Sequence, residues 1–206
     1  MAIVIDGSSA AGTINLGANG TISNLAVGGL PNGVVDSDTL ADGAVTAGKR
    51  GSGAILQFKP FTHTTASDFT SGDALTGLAG SITPRHTDNK IFILANQWVW
   101  SNTGTNEHQY GPALWLQRST DATAYDNGNW NNLSDANSKT WGWNYNNENN
   151  SGQGELMAPF MHYDAPSSTS AVWYRMKASR FTANTSYVKM QEDGRGSFLY
   201  LMEIAA

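Results

Sequence analysis

The chain contains no cysteine, so neither a disulfide framework nor a thiolate metal site is available to it. Charge is scarce as well. Charged residues make up 14% of the chain, against a usual value of about 25%. The net charge is −5, and the basic residues are scattered, with no run longer than Lys49-Arg50. A phosphate-binding surface needs clustered Lys and Arg, so a nucleic-acid partner is not expected. No apolar run is long enough to span a bilayer: the strongest, Ile91 to Trp100, is short and interrupted by Asn96 and Gln97. The opening residues show no basic n-region followed by a continuous apolar stretch, so no signal peptide is read there. The lack of cysteine is compatible with assembly in a reducing host cytoplasm. Residues 1–52 lack aromatic side chains altogether, whereas the rest of the chain carries all seven Trp.

What the leader does contain is Gly, Asn-Gly and Asp-Gly between spaced aliphatic residues. Short strands are expected at Ile3–Ile5, Thr13–Leu16, Thr21–Ser23 and Ala26–Val27, with turns at residues that tolerate positive φ. Such a segment holds too little apolar volume for a core of its own. It is read as a fibrous leader that becomes stable only by lying against copies of itself or against another protein. Ile3, Ile5, Ile14, Leu16, Ile22, Leu25, Val27 and Leu30 are the candidate inter-chain core, and Val4 belongs with them.

Residues 53–206 form the second region. Helix-period patterns are nearly absent. Short runs rich in Val, Ile, Thr and aromatics recur between Gly, Asn, Asp and Ser. Strands are expected at Ala54–Phe61, Leu78–Thr83, Lys90–Trp100, Ala113–Arg118, Lys139–Tyr145, Leu156–Tyr163, Ala171–Ser179, Ser186–Lys189 and Ser197–Ile204. Glu192 to Gly196 is expected to be a hairpin turn joining the last two. The fold class is therefore all-β: a short fibrous Gly-rich N-terminal region followed by an antiparallel jelly-roll-like sandwich. Two long polar loops are expected, at 101–109 and 120–150, and the Trp residues in the second argue that it is ordered.

Chemistry is sparse. His63, His86, His108 and His162 are far apart, with no His pair at ligand spacing and no nucleophile elbow. The Asp36, Asp38 and Asp42 cluster lacks the spacing and closing Glu of a Ca²⁺ loop. No catalytic, cofactor-binding or metal residues are assigned, and the chain is not read as an enzyme. The strongest binding signal is aromatic: Trp130, Trp141, Trp143 and Tyr145 stand among Asn and Asp. A flat ring matches the C–H face of a sugar, and carboxamides match its hydroxyl rim. Trp141 and Trp143, two apart, are equally placed to pack inward from one strand face.

Several segments together resemble a phage tail-fibre domain. They are Gly53-Ala-Ile-Leu-Gln57, Thr76-Gly-Leu, Ser81-Ile-Thr-Pro84, Asn89-Lys-Ile-Phe-Ile-Leu94, the stretch from Asp164-Ala-Pro-Ser to Tyr174, and the closing Tyr200-Leu-Met-Glu-Ile-Ala-Ala206. Order and spacing agree across nearly the whole of residues 53–206. Asp38 to Lys49 is similar to linkers of marine and cyanobacterial phage fibres, where the unit commonly repeats; here it occurs once. The resemblance implies a homotrimeric virion protein that docks on other virion proteins through its leader and adheres to a host surface glycan. The single linker copy keeps a capsid head fibre or decoration protein open beside a tail fibre. A polysaccharide-degrading spike is a more distant alternative.

Overall fold

The computed structural model describes residues 51–70, 72–103, 109–133, 140–141, 144–145, 153–180 and 185–206. The nine candidate leader-core positions named above, Trp143 and His108 lie outside them. All described residues belong to the second of the two units into which the chain divides, residues 46–206.

The strands in chain order are β1 (Ile55–His63), β2 (Ser67–Phe69), β3 (Asp73–Ile82), β4 (Lys90–Thr103), β5 (Gln109–Tyr110), β6 (Pro112–Ser119), β7 (Asn131–Asn132), β8 (Thr140–Trp141), β9 (Asn144–Tyr145), β10 (Gln153–Asp164), β11 (Val172–Arg180), β12 (Thr185–Met190) and β13 (Ser197–Ile204). A single 3-10 turn covers Glu192–Gly194, and no α-helix occurs among the described residues. The all-β expectation holds, and the strands form two antiparallel sheets packed on each other.

The first sheet is organised on β4. Along one edge of β4 lies β10, paired from Ile91↔Asp164 to Asn102↔Gln153. Along its other edge lie two strands end to end: β13 opposite Lys90 to Asn96, and β12 opposite Val99 to Thr103. Outside them, β1 pairs β13 and β2 pairs β12. The second sheet runs β3-β11-β6, with β7 and β8 sharing the far edge of β6, and β5 pairs β9 separately.

This corrects two local expectations. Residues 191–196 are not a hairpin, because β12 and β13 run in the same direction along one edge of β4. The segment is an excursion between collinear strands. It turns through left-handed Gln191 (φ 51) and Asp193 (φ 57) and closes on Ser197. The Ser197 hydroxyl oxygen accepts from the Trp98 backbone N–H at 2.9 Å and from the side-chain amide of Gln191 at 2.8 Å. Nor is Lys139–Tyr145 one strand. It contributes β8 to the second sheet and β9 to the small one.

The core lies between the sheets and follows the period of two. On β11, Val172, Tyr174, Met176 and Ala178 are fully buried, whereas Trp173, Arg175 and Lys177 face outward. On β13, Leu199, Leu201 and Glu203 face inward. Each buried Leu contributes about 1.5–3 kcal/mol. Two glycines of β3 let β1 close the layer. The His63 ring lies where a Cβ on Gly77 (φ +78) would stand, 2.1 Å from Nε2, and the Phe61 ring does the same over Gly80 at 2.3 Å. A side chain at either position would push the two strands apart.

Two polar clusters pin one end of this sandwich. Glu203 is fully buried on β13. Its carboxylate accepts from the Gln57 side-chain amide, the Asn89 side-chain amide and the Arg85 backbone N–H, each at 2.6 Å. The Gln57 amide also donates to the Thr83 carbonyl at 2.7 Å. Asn89 in turn accepts the Ala206 N–H at 3.2 Å, and Gly53 and Ala205 exchange backbone bonds with the opposite terminus at 2.9 Å. In the second cluster, buried Asp164 accepts from the Tyr174 hydroxyl and the Arg118 guanidinium, both at 2.8 Å, which ties the two sheets together. Burial, then the Asp164 charge and its hydrogen bond, raise the Tyr174 pKa well above its ordinary value, so the phenol stays a donor.

Candidate functional site

The aromatic residues singled out in the sequence do not form one cluster. Trp130 precedes β7, which pairs with Gln117 and Arg118 near the end of β6. Trp141 pairs with Ala113 near its start. At about 3.3 Å per residue, the five positions between Ala113 and Arg118 separate them by roughly 16 Å. Tyr145 is farther along in the same direction, opposite Gln109 of β5. Trp130 thus belongs to the end of the sandwich that carries both polar clusters, and Trp141 and Tyr145 to the other.

The surroundings of Trp130 are built rather than loose. The Arg175 guanidinium lies over its ring, 3.8 Å from the centroid. The same Arg175 donates to the Gln117 carboxamide oxygen at 2.9 Å and to the Tyr125 carbonyl at 2.7 Å. Partial burial lowers the Arg175 pKa from its ordinary value, and Asp126 acts in the opposite sense. Asn127 caps the turn before it, its side-chain oxygen accepting from the backbone N–H groups of Thr123 and Ala124 at 2.9 and 3.1 Å. Asp121 accepts from the Ser119 hydroxyl at 2.7 Å and from both N–H groups of Asn129. These bonds, that of Ser119 first, hold its carboxyl below the ordinary aspartate value. Asn and Asp side chains thus hold residues 119–129 of the expected 120–150 loop in place, and much of the remainder lies outside the described residues. One face of the Trp130 ring is already taken, so it is a partly covered platform.

A larger feature went unread in the sequence. On the outer face of the first sheet, register places Tyr163, Phe92, Met202 and Phe58 in one row across four strands. Met161, Leu94, Tyr200 and Pro60 form the next row. The third row is Pro159, Asn96, Phe198 and Thr62. Directly paired residues project to the same side, so these rows make a continuous surface without a charged group. Tyr200 stacks on Phe58 at 5.6 Å and on Phe198 at 6.5 Å. Met161 remains 72% exposed, Tyr163 58% and Phe58 52%. Of the seven large apolar residues that the described chain leaves exposed, only Tyr125 lies away from this face and its margin at Ile55.

Beyond the third row the same face changes character. Trp98 lies under the Arg195 guanidinium and Trp100 under the Lys189 ammonium, each 5.1 Å from the ring centroid. Arg195 is paired with Glu155, and Lys189 with Glu192. The sequence signal for the bare rows was present: β4, β10 and β13 read as apolar on both faces, which a half-solvated antiparallel strand does not need.

The remaining candidates are modest. A groove between β2 and β12, lined by Ala66, Asp68, Lys189 and Met190 among others, has a volume of about 180 Å³. That is below the usual range of small-molecule sites. His86 is exposed and faces only its neighbour Asp88 at 3.5 Å. Among the described residues no three His, Asp or Glu side chains gather in a way that would hold a metal ion. No helix there is long and apolar enough to cross a membrane. Comparison with protein-family models returns no match, and comparison with curated proteins returns none either.

Proposed function

We propose that this chain is a phage virion structural protein: a short homotrimeric fibre or spike, with residues 53–206 as a jelly-roll-like head and residues 1–52 as the docking and trimerising leader. Its role is adhesion to a glycan of the host surface, without catalysis. One observation carries the reading. The segments in which the chain resembles tail-fibre domains are scattered over the sequence, yet five of the six contribute to the two polar clusters. Gln57, Thr83, Asn89 and Glu203 meet in the first. Asp164 and Tyr174, ten residues apart, meet in the second. This convergence supports the reading, because the segments that carry the resemblance supply hydrogen bonds on which this fold depends.

The glycan part of the reading concerns Trp130 at one end of the sandwich and Trp141 and Tyr145 near the other, together with Trp143, which lies outside the described residues. The single copy of the Asp38 to Lys49 linker favours a second reading, a head fibre or decoration on the capsid. Immunogold labelling of intact particles separates these. Label on tail fibres or tips is the expected result, label over capsids selects the second reading, and particles free of label overturn both.

A further inference from the structure

The bare outer face of the first sheet has the properties of a surface that is covered in the working protein. Elsewhere among the described residues Tyr125 is the one large apolar side chain left exposed. Trp98, Trp100, Trp115 and Trp130 each lie beside a cation of the same chain. The three rows at the other end of β4 have no such cover. Four strands about 4.8 Å apart and some seven residues along β10 give a flat patch of roughly 400 Å². That lies within the range of the largest apolar patch on a typical monomer, a patch that is often functional. It is about half of what one partner contributes to a standard interface, and the protruding side chains and strand margins add to it.

The geometry points to a second copy of this chain as the occupant, sheet face against sheet face around a rotation axis. Three features select it. The three rows carry no charged side chain, so juxtaposing them with their own copies brings no like-charge repulsion. The described chain has a single large apolar patch, and a symmetric assembly needs only one surface shared by all copies. In the third row stands Asn96, half-buried, whose side-chain oxygen is shielded from solvent and takes no hydrogen bond within the described residues. A carboxamide both donates and accepts, so after a rotamer change Asn96 can pair with its own equivalent across the axis. Such a polar group in an apolar interface fixes register at some cost in stability. The leader is a poorer occupant. It lacks aromatic residues and spaces its aliphatic ones with Gly, so it offers little volume to pack against Phe, Tyr and Met rows. This inference rests on the self-association in the reading above, and not on the virion assignment.

The absence of cysteine makes the test direct. Full-length Met161→Cys and Leu94→Cys variants each carry one thiol on the face, and Thr123→Cys carries one on the loop beside Trp130. Each is treated with a short bismaleimide. The expected result is covalent multimer as the main product for at least one of the two face variants, at least tenfold above Thr123→Cys, and lost on dilution before reaction. Thiols on the face that react with monofunctional maleimide as fast as Thr123→Cys, without cross-linking, overturn the inference because the face is then open. Thiols that are protected at every concentration yet never cross-link overturn it too, because the leader or another segment of the same chain then covers the face. All three outcomes are read on purified protein, so they stand whichever way the labelling of particles turns out.

Discussion

The two sheets finish their outer faces in different ways. On the second sheet, Arg175 lies over Trp130 and Lys177 beside Trp115 at 5.8 Å, and Gln117 links Arg175 to Asn132. The aromatic surface there is satisfied within the chain. On the first sheet the same device covers Trp98 and Trp100 only. The rows from Phe92 to Asn96 are left to apolar neighbours alone. Both faces are built by the same alternation on similar strands, so the difference does not come from secondary structure. It comes from where a neighbouring position supplies a cation: Arg175 and Lys177 from β11, Lys189 from β12 and Arg195 from the 191–196 excursion. Where a surface is to meet water, this chain provides its own polar cover; where none is provided, another protein surface is expected.

The variant with the largest effect removes the contrast by loosening both sheets. Glu203→Ala leaves the Gln57 and Asn89 amides and the Arg85 N–H without their common acceptor, at a cost of about 3–5 kcal/mol. Thermal unfolding followed by circular dichroism checks this. Glu203→Gln, which keeps an acceptor, loses about half as much. Next comes Leu94→Lys, which sets a charge in the middle of the bare rows. It weakens self-association by about 2–4 kcal/mol per interface, or at least thirtyfold, while the fold persists because Leu94 is already 37% exposed. Light scattering on the eluting protein reads the mass directly. Its counterpart on the other sheet, Arg175→Ala, removes the cation over Trp130 and two hydrogen bonds. The expected loss is about 1 kcal/mol of domain stability with the assembly mass unchanged. If Arg175→Ala dissociates the protein and Leu94→Lys does not, the contrast is inverted.

The smallest effect is one of pH. The Asp121 carboxyl is held below the ordinary aspartate value of 3.8 by the Ser119 hydroxyl and by Asn129. Its contribution is therefore fully present above that value and is lost as pH falls through the lower folded-state value. Acidification below about pH 4 should loosen the 119–130 loop and change Trp130 fluorescence, an effect that Asp121→Asn removes.

Much of the fold was legible because the inward residues alternate cleanly. Val172, Tyr174 and Met176 on β11 stand opposite Arg175 and Lys177 and so mark the core side without help from the structure. The polar clusters were visible only as recurring segments: nothing in the sequence says that Glu203 meets Gln57 across 146 positions. The excursion at 191–196 looked like a hairpin because Asp-Gly serves both, and only the pairing of β12 and β13 with one edge of β4 decides between them. Residues 139–145 looked like one strand because the switch between sheets depends on partners β6 and β5, which are distant in sequence. The bare face was hidden for a different reason. In Ser197–Ile204 both sets of alternating residues are apolar, so the pattern names a strand without naming its core side, and that ambiguity is itself the mark of a strand buried on two faces.

The central claim, that the face of β10, β4, β13 and β1 is covered by further copies of the chain, is tested most directly on the unaltered protein. Methionine oxidation by dilute peroxide, read peptide by peptide in the mass spectrometer, reports the exposure of the Met161 thioether. The account predicts strong protection of Met161 at high protein concentration and rapid oxidation after dilution. Oxidation of Met161 at one fast rate at all concentrations would contradict it.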